Sequence, residues 1–405
     1  MVATEQQADG PKRRRRVGFV NSHPIQYFVP LYRRINQSAD VEAVPIYLTD
    51  HSIRGDFDVG FGQKLAWDID LVEGTDPVWV GGYHERKLDP GPLRMLAPDV
   101  WNAVRRANLD ALVIHGHNFG ANHIATLSAK LAGIPVFSRG ETHLGLPMPP
   151  GKLARRNWLM PKYYAMLDGF LAIGTLNREF YRAMGVPEGK IHHFPYTVEN
   201  DRMIAAATMD EAERRAFRAR WGMREGVPVL LYASKFQQRK YPGAVIEAAR
   251  ILREQGLDID VMMVGAGDLD AELRAQAAAL PGHPVSFPGF INQAELPRFF
   301  GGCDIFSLPS EAEPWGLIIN EAMCGAMPIL ASDEIGSVRD LVIEGDNGML
   351  HKAGDARGMA EALAPLLRDP ELIRRMGARS LERIKAWNYD LCVDGLRAAL
   401  ASVGK

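Results

Sequence analysis

The chain has 405 residues, of which 47% are hydrophobic and 24% are charged, and its formal net charge is −2. This length and composition predict two or three domains of an ordinary soluble protein. No apolar run approaches the roughly 18 residues of a membrane span, and the N-terminus shows no signal-peptide core. The three cysteines lack the paired spacing of a disulfide framework or a zinc site, so a cytoplasmic protein is expected.

A basic tail precedes the first predicted strand. Residues 1–16 are polar and include the basic run 12–16, which predicts a solvated, disordered tail. Contact of this run with nucleic acid or with an anionic membrane is the alternative. The interpretation as a nucleic-acid-binding protein would depend on this run alone, and no nucleic-acid partner is expected.

The first half of the chain alternates apolar runs with segments of helical spacing. Its predicted strands are residues 17–20, 43–48, 111–114, 134–138, 169–173 and 191–194. Its predicted helices begin near Tyr27 and cover about 91–107, 123–132, 153–167 and 175–184. Pro161 is expected to kink or divide the helix that contains it.

A glycine-containing segment interrupts this alternation. Residues 51–64 show no helical period and predict a long loop, a feature that is usually functional or mobile. Shortly after it, Asp68 and Asp70 have the spacing of a metal-binding Asp-x-Asp motif, and Asp268 and Asp270 repeat that spacing. Neither pair ends an apolar strand in a suitable context. We interpret both as coincidences and expect no metal.

The second half repeats the alternation. Its predicted strands are residues 229–233, 260–264, 285–287, 304–308 and 328–331, and its clearest helix covers 243–255. Strands that alternate with helices predict a parallel sheet in each half. Two doubly wound domains place their ligand crevice at the carboxyl ends of the strands, so the domains would face each other across a cleft. Residues 195–200 are the expected interdomain crossing.

The segment 303–347 contains the densest functional pattern. A short apolar run ends in a polar turn that contains Gly316, and from Leu317 and Ile318 onward the apolar residues recur at helical spacing. A strand that enters a helix through such a turn forms an anion site, because the free N–H groups of the first helical turn point at it. Glu313 and Glu321 bracket the turn, and a helical rise would place them about 12 Å apart. That separation suits a nucleotide-sugar, with one carboxylate at each end and the diphosphate between; two helix-surface carboxylates are the alternative.

The pattern from Glu313 to Glu321 resembles the donor-site signature of glycosyltransferase family four, in which seven residues separate two glutamates. The resemblance covers nearly all of residues 17–400 and is strongest from 228 to 350. It implies a retaining GT-B enzyme, an α/β protein with two doubly wound Rossmann-like domains facing across a cleft. It also implies that Glu313 contacts the transferred sugar, that Glu321 contacts the ribose, and that no metal or other cofactor is needed besides the nucleotide-sugar donor.

The resemblance also implies a domain organisation. After the tail 1–16, an acceptor-side domain would cover 17–198, and a nucleotide-sugar-binding domain would cover 199–384. The last helices, from about residue 385 to 405, would cross back onto the first domain, as the final helices of family members do.

Basic residues in the loop after strand 229–233 match a second family segment. Lys235 and Lys240 fall at the positions of the family's arginine and lysine, next to Ser234 and Arg239. Lysine in place of arginine loses bidentate phosphate geometry, and Tyr241 replaces a glycine. Arg239 is a candidate to compensate; a solvated basic turn is the alternative.

Two further segments belong to the predicted donor site. Gly265 lies in a weak dinucleotide-like motif that lacks a third glycine and precedes an acidic helix start, so we expect it to permit close packing beside the nucleotide. Phe290 and Ile291 resemble the family segment whose backbone contacts the base. Backbone contacts identify base edges loosely, so uridine, guanosine and adenosine donors remain open.

The acceptor half offers His23, His117 and the loop 139–143, each after a predicted strand. Many relatives carry a sugar-contacting histidine in this last loop, and here Glu141 and His143 are alternative candidates. Each histidine is equally well explained as a structural residue. The mechanism implied by the resemblance is front-face transfer to a hydroxyl of a glycan, a lipid-linked molecule or a small molecule, in which a phosphate oxygen takes the acceptor proton.

The stretch 152–167 mixes basic, aromatic and aliphatic residues. It predicts either a helix lying on an anionic membrane or one with its apolar face buried in the first domain. The alternatives to a glycosyltransferase are a nucleotide-sugar hydrolase, epimerase or phosphorylase on the same fold, and a non-catalytic nucleotide-sugar-binding protein.

Overall fold

A computed structural model of the protein describes residues 13–55, 57–58, 63–64, 67–86, 95–280, 282 and 284–404. It contains two parallel sheets, each with helices on both faces. The predicted architecture of two doubly wound α/β domains is confirmed. Among the described residues, no helix combines the length and the apolar character needed to cross a membrane.

The N-terminal domain is built around a seven-stranded sheet. The strands of this half are β1 Arg15–Asn21, β2 Val41–Tyr47, β3 Phe57–Asp58, β4 Gln63–Lys64, β5 Val78–Trp79, β6 Ala111–His115, β7 Val136–Gly140, β8 Gly169–Ala172 and β9 Ile191–His193. The sheet order is β5-β2-β1-β6-β7-β8-β9, and β3 pairs with β4 alone. The helices are α1 Phe28–Asn36, α2 His51–Arg54, α3 Val100–Arg106, α4 Gly120–Leu131, α5 Pro150–Tyr164 and α6 Thr175–Ala183.

The C-terminal domain is built around a six-stranded sheet of order β12-β11-β10-β13-β14-β15. Its strands are β10 Val229–Ala233, β11 Asp260–Val264, β12 Val285–Gly289, β13 Ile305–Leu308, β14 Ile329–Ser332 and β15 Gly348–His351. The helices of this half are α7 Asn200–Ala207, α8 Glu211–Arg220, α9 Pro242–Glu254, α10 Asp270–Ala278, α11 Leu296–Gly302, α12 Leu317–Cys324, α13 Val338–Leu341, α14 Ala356–Arg368, α15 Pro370–Ala386 and α16 Tyr389–Val403. Strands β10 and β13 are buried along their whole length, as expected for strands covered by helices on both faces.

The predicted tail ends earlier than expected, because Arg15 and Arg16 belong to β1. The backbone N–H of Arg15 donates to the carbonyl of Asp40 at 2.8 Å, and that of Arg16 donates to the carboxylate of Asp110 at 2.7 Å. These partners extend the strand beyond its apolar run. Residues 1–12 lie outside the described residues, so the tail prediction for them stays a prediction.

Three other predicted elements differ from the structure. The helix predicted over 91–107 begins at Val100, because Met95 and Ala97 have positive φ values of 47° and 40°, which a right-handed helix does not allow; residues 91–94 lie outside the described residues. The predicted loop 51–64 contains the short helix α2. Residues 56 and 59–62 of that loop lie outside the described residues. Helix α5 continues through Pro161 without division.

The chain crosses between the domains twice. The first crossing follows β9, and the second lies between α15 and α16 at Trp387 and Asn388. Helix α15 packs against α12 of the C-terminal domain, whereas α16 packs against β8, β9 and α1 of the N-terminal domain. The Trp387 indole N–H donates to the Tyr196 carbonyl at 2.8 Å, so the two crossings are bonded to each other.

Helix α16 can approach the sheet because Gly395 has no side chain. A Cβ atom at Gly395 would overlap the carbonyl oxygen of His193 in β9. We expect Gly395→Ala to lower the free energy of unfolding by about 1–3 kcal/mol, the usual cost of overpacking. Scanning calorimetry of the full chain measures the loss. Gly151→Ala is the matched control, since a Cβ there meets open space; equal melting temperatures for both variants would contradict this account of the docking.

Candidate active site

Two adjoining cavities lie between the domains at the carboxyl ends of both sheets. The larger cavity has a volume of about 550 Å³ and the smaller one about 270 Å³. Five residues line both and therefore mark the junction: Tyr27, Ala233, Ser234, Lys240 and Ile318. The cavities form one continuous cleft because these residues are shared.

The larger cavity gathers most of the predicted donor-site residues. From the C-terminal domain its lining includes Ser234, Lys235, Arg239, Lys240, Gly265, Phe290, Ile291, Ile318 and Glu321. The N-terminal domain contributes Gln26, Tyr27 and Trp67. Three cations and one buried carboxylate thus face the same space.

The smaller cavity gathers the residues around Glu313. Gly316, Leu317 and Trp315 line it on the C-terminal side, and Glu141 and Tyr196 line it on the other side. The Tyr196 hydroxyl donates to the Glu141 carboxylate. Each domain therefore presents one carboxylate to this cavity.

The turn before α12 is held in one conformation. Gly316 is the N-cap residue and has a φ of 84°, a left-handed conformation that favours glycine. The carbonyl of Glu313 accepts from the backbone N–H of Gly336 at 2.9 Å, and the Trp315 indole N–H donates to Asn320 at 3.0 Å. The first N–H groups of α12 have no partner within the helix, and Leu317 and Ile318 place them beside the cavities.

Lys240 joins the basic loop to the acidic turn. Its ammonium group forms an ion pair with the Glu313 carboxylate, and the Arg239 guanidinium lies 3.5 Å from the same oxygen. Burial lowers the pKa of Lys240 from its usual value, and the Glu313 charge opposes that shift. The Glu313 carboxylate and both cations therefore form one cluster beside the cavities.

Tyr241 explains one departure from the family pattern. The resemblance implies a glycine at this position, and Tyr241 adopts a left-handed conformation with φ 47° and ψ 46°, which is unusual for an aromatic residue. Its hydroxyl donates to Glu311 at 2.9 Å, and its ring lies against Gly354. These contacts hold the backbone in the conformation that glycine would adopt without help.

Glu321 is buried, with 1% of its surface exposed. Desolvation by this burial raises the pKa of Glu321 to about 7, while the polar neighbours Tyr27 and Gln293 and the charge of Arg202 oppose the rise. Its Oε2 atom has no hydrogen-bond partner among the described residues. Glu321 lines the larger cavity, and a carboxylate at a cavity wall can accept a ligand hydroxyl.

Three histidines from the acceptor half do not line either cavity. His23 bonds Ser22 at 2.9 Å, and burial lowers its pKa to about 4. His117 is near the edge of Tyr164, with ring centroids 6.5 Å apart. Burial lowers the pKa of His117 and of His143 as well. All three occupy protein environments that favour the neutral imidazole.

Glu141 and His143 take different positions although they share a loop. Glu141 faces the smaller cavity, whereas His143 is buried, accepts from the Gly145 N–H at 3.2 Å and contacts the backbone of Glu313. The structure therefore places His143 behind the turn that carries Glu313.

The two Asp-x-Asp sequences bond to protein groups. Asp68 accepts from the Ala294 N–H at 3.1 Å, Asp70 accepts from Val72 at 2.8 Å, and Asp270 pairs with Arg274 at 2.7 Å. Within the described ranges, no group of three or more His, Cys, Asp or Glu side chains could hold a metal ion.

Tyr27, Trp67 and Tyr196 line the cleft but were not predicted as site residues. Tyr27 was assigned to the apolar face of a helix, yet it follows the loop after β1, at the same sheet edge that suggested His23. That position after a strand could have indicated that Tyr27 lies at the cleft. Tyr196 lies in the interdomain crossing, and nothing in its local sequence indicates that its hydroxyl faces a cavity.

The chain matches known families along most of its length. Residues 213–383 match the model described as "Glycosyl transferases group 1", and residues 60–197 match "Glycosyl transferase 4-like domain". An alpha-D-kanosaminyltransferase of Streptomyces kanamyceticus is 30% identical over 294 residues, which are 70% of this chain and 74% of that protein. A phosphatidyl-myo-inositol mannosyltransferase of Mycolicibacterium smegmatis is 27% identical over 281 residues, or 69% of this chain and 68% of that one.

Solved structures share the fold. A glycosyltransferase from Rickettsia africae superposes with a TM-score of 0.74 at 14% identity and covers 97% of this chain and 100% of that chain. The Anabaena protein HepE in complex with UDP and glucose has a TM-score of 0.70 at 16% identity. That superposition covers 96% of this chain and 100% of the HepE chain. With the paired cavities and the Glu313–Glu321 turn, these matches show that the chain belongs to the group 1 glycosyltransferases and is an enzyme with the GT-B fold.

Proposed function

We propose that this enzyme transfers a sugar from a nucleotide-sugar to an acceptor hydroxyl, with retention of anomeric configuration and without a metal ion. The observation that supports this most directly is the continuous cleft with Glu321 at one end, Glu313 at the other and Lys235, Arg239 and Lys240 along it. A nucleotide-sugar has the same order of groups: ribose, diphosphate and sugar.

The donor would occupy both cavities. The base would lie in the larger cavity against the backbone of Phe290 and Ile291, and the ribose would donate a hydroxyl to Glu321. The three cations and the first N–H groups of α12 would stabilise the diphosphate. The sugar would extend into the smaller cavity, where Glu313 accepts its hydroxyls. Because HepE was solved with UDP, a UDP-sugar is the first donor to test.

The acceptor hydroxyl would attack from the face that the diphosphate leaves. The departing phosphate gains negative charge, and Lys240, buried at the junction of the cavities, would stabilise it in a region of low dielectric. A phosphate oxygen takes the proton of the acceptor. Glu313 serves to position the sugar in this proposal, because its carboxylate is engaged by Lys240 and Arg239 and is therefore not free to act as a nucleophile.

On the acceptor side, Glu141 is the group best placed to bind hydroxyls, because the Tyr196 hydroxyl orients it at the smaller cavity. His143 would act indirectly by supporting the backbone of Glu313. His117 stays a sequence-based candidate whose side chain lies outside both cavities.

Helix α5 supports a contact with an anionic membrane. Its buried residues are Arg156 and Tyr164 alone, while Trp158 is 63% exposed and Leu153 and Leu159 are 37% and 39% exposed. Residues 142–167 include basic residues and no acidic ones. Exposed apolar side chains interspersed with cations, without acids, suit the surface of an anionic bilayer. We propose that the enzyme binds such a membrane peripherally and meets a lipid-linked acceptor there.

The first prediction concerns donor binding. UDP-, GDP- and ADP-sugars should be compared by thermal shift. We expect the sugars of one of these nucleotides to stabilise the wild type, and to do so in the presence of a chelator as well. Glu321→Ala should weaken the affinity about 10- to 100-fold, since it removes a hydrogen bond to a charged group. Glu361→Ala on the exposed face of α14 is the control. Binding of no nucleotide-sugar by the wild type would reject the proposed donor class.

The second prediction concerns Glu313. Glu313→Gln keeps the shape of the side chain but removes the charge that pairs with Lys240. We expect nucleotide release from the donor to fall about 100-fold or more, while the affinity for the donor changes little. Glu311→Gln in the same turn is the control, because Glu311 bonds Tyr241 instead. Full activity of Glu313→Gln would remove Glu313 from the sugar site.

The third prediction concerns α5. Co-sedimentation with vesicles that contain anionic lipid should retain the wild type and lose a Lys152→Glu, Arg155→Glu double variant. The loss should exceed tenfold, given about 1 kcal/mol per cation near the surface. The charge-matched control is the double variant Arg357→Glu, Arg368→Glu, which changes two exposed side chains of α14. Equal sedimentation of both double variants would assign the binding to another surface.

A further inference from the structure

The two cavities of the cleft carry different charges. Three cations and one carboxylate line the larger cavity. The charged residues that line the smaller cavity are Glu141, Glu313 and Lys240, and Lys240 pairs with Glu313. Among the described residues, the charge of Glu141 is therefore left without a cation to balance it in the smaller cavity.

The Glu141 carboxylate is open to a ligand. Glu141 is an exposed residue of the N-terminal domain, and its Oε1 atom accepts a hydrogen bond from the Tyr196 hydroxyl. Within the described part of the chain, no ion pair reaches its side chain. An ionised carboxylate has two oxygens that accept hydrogen bonds and none that donates, so Glu141 can still bind a hydroxyl or an ammonium group.

Tyr196 holds Glu141 from a fixed position. Its ring stacks on Phe28, with centroids 6.0 Å apart, and its carbonyl accepts from the Trp387 indole at 2.8 Å. The Arg139 guanidinium lies 4.3 Å from the centroid of the same ring. Arg139 is 2% exposed and does not line either cavity, so it supports the tyrosine and offers no hydrogen bond to a ligand there.

The rest of the N-terminal wall of the cleft is uncharged. Its described lining residues are Gln26, Tyr27, Trp67 and Tyr196. Amide, hydroxyl and aromatic groups suit the hydroxyls and the apolar faces of a sugar ring. This wall contains no described lysine or arginine that would pair with a phosphate or a carboxylate of an acceptor.

We propose that the part of the acceptor that enters the smaller cavity is a neutral or positively charged sugar, and that Glu141 sets this preference by accepting its hydrogen bond and repelling anions. Tyr196 is the positioning residue that holds the carboxylate for this contact. The inference rests on the proposed function, because it identifies the acceptor of that reaction by its chemical class.

A bound donor strengthens the preference. Its diphosphate brings negative charge to the junction of the cavities, so an anionic acceptor would be repelled by the diphosphate and by Glu141 together. Repulsion of the wrong partner is a common source of specificity. A lipid-linked acceptor would therefore keep its phosphate outside the smaller cavity and present a sugar to it.

Three monosaccharides that differ only at carbon 6 test this preference: glucose, glucuronate and 6-amino-6-deoxyglucose. Each is added to the enzyme with the donor identified in the screen, and the rate of nucleotide release is measured. A sugar that accepts the transfer raises this rate, and one that displaces water lowers it. In either case the concentration that gives half of the change measures the affinity. We expect glucuronate to need a concentration more than about tenfold higher than glucose, and the amino sugar to need no more than glucose.

Two variants separate charge from position. Glu141→Gln should reduce the selectivity between the amino sugar and glucuronate by about tenfold, since the charge is lost and the shape is kept. Tyr196→Phe keeps the charge but frees the carboxylate. It should weaken the effect of glucose about threefold to tenfold and leave the ratio of glucuronate to glucose unchanged. The KM for the donor should stay at the wild-type value in both variants.

The matched controls are Glu73→Gln, which changes an exposed glutamate outside both cavities, and Tyr163→Phe, whose hydroxyl lies 3.5 Å from Thr126. Equal effects of glucuronate and glucose on the wild type would overturn the preference, as would full selectivity in Glu141→Gln. Wild-type behaviour of Tyr196→Phe would remove its positioning role. No effect of any of the three sugars would overturn the assignment of a sugar acceptor. In each of these cases the donor still binds; a wild type that binds no nucleotide-sugar would instead reject the proposed function.

Discussion

The carbonyl oxygen of Tyr196 is the point through which the two domains are joined. It accepts from the Asn320 side chain at 3.2 Å and from the Trp387 indole at 2.8 Å, so the first crossing, helix α12 and the second crossing meet at one atom. The rings of Trp315 and Trp387 stack beside it at 6.1 Å. The hydroxyl of the same residue donates a hydrogen bond to Glu141, which lines the smaller cavity. The route of the chain and the wall of the smaller cavity therefore meet at this junction, which other contacts between the domains support, such as that of Thr175 with Asp340 and that of Asp68 with Ala294.

Much of the fold was predictable because parallel strands covered on both faces are continuous apolar runs. The bounds of β10 and β11 agree with the prediction residue for residue. Elements were misplaced where distant partners decide their limits: β1 begins at Arg15 because Asp40 and Asp110 supply hydrogen bonds. Strand β15 was missed because it is four residues long and opens with glycine, which gives too short a run for a period of two.

The sequence also predicts some residues of the candidate site and not others. Glu313 and Glu321 could be proposed from spacing and Lys240 from the family resemblance, because local turns and the ends of neighbouring strands bring the three together. That Tyr27 lines the same cavity as Glu321 could not be predicted, since it depends on how the two domains pack. Loop position was also insufficient for His143: it lies two residues from Glu141, but burial behind the Glu313 turn gives it a different environment. Sequence thus predicts what one domain assembles better than what two domains assemble jointly.

The burial of Glu321 in the cleft lowers the stability of the protein at neutral pH. A carboxylate whose pKa is raised by burial to about 7 binds more protons in the folded state than in the unfolded state, so the stability it contributes falls as the pH rises from its unfolded value towards 7. Its Oε2 atom also has no hydrogen-bond partner among the described residues, which adds a further cost to the folded state. A protein selected for stability alone would place an apolar residue there. The buried carboxylate lines the larger cavity, and this position is consistent with the proposed ribose site, where its partner would arrive with the substrate.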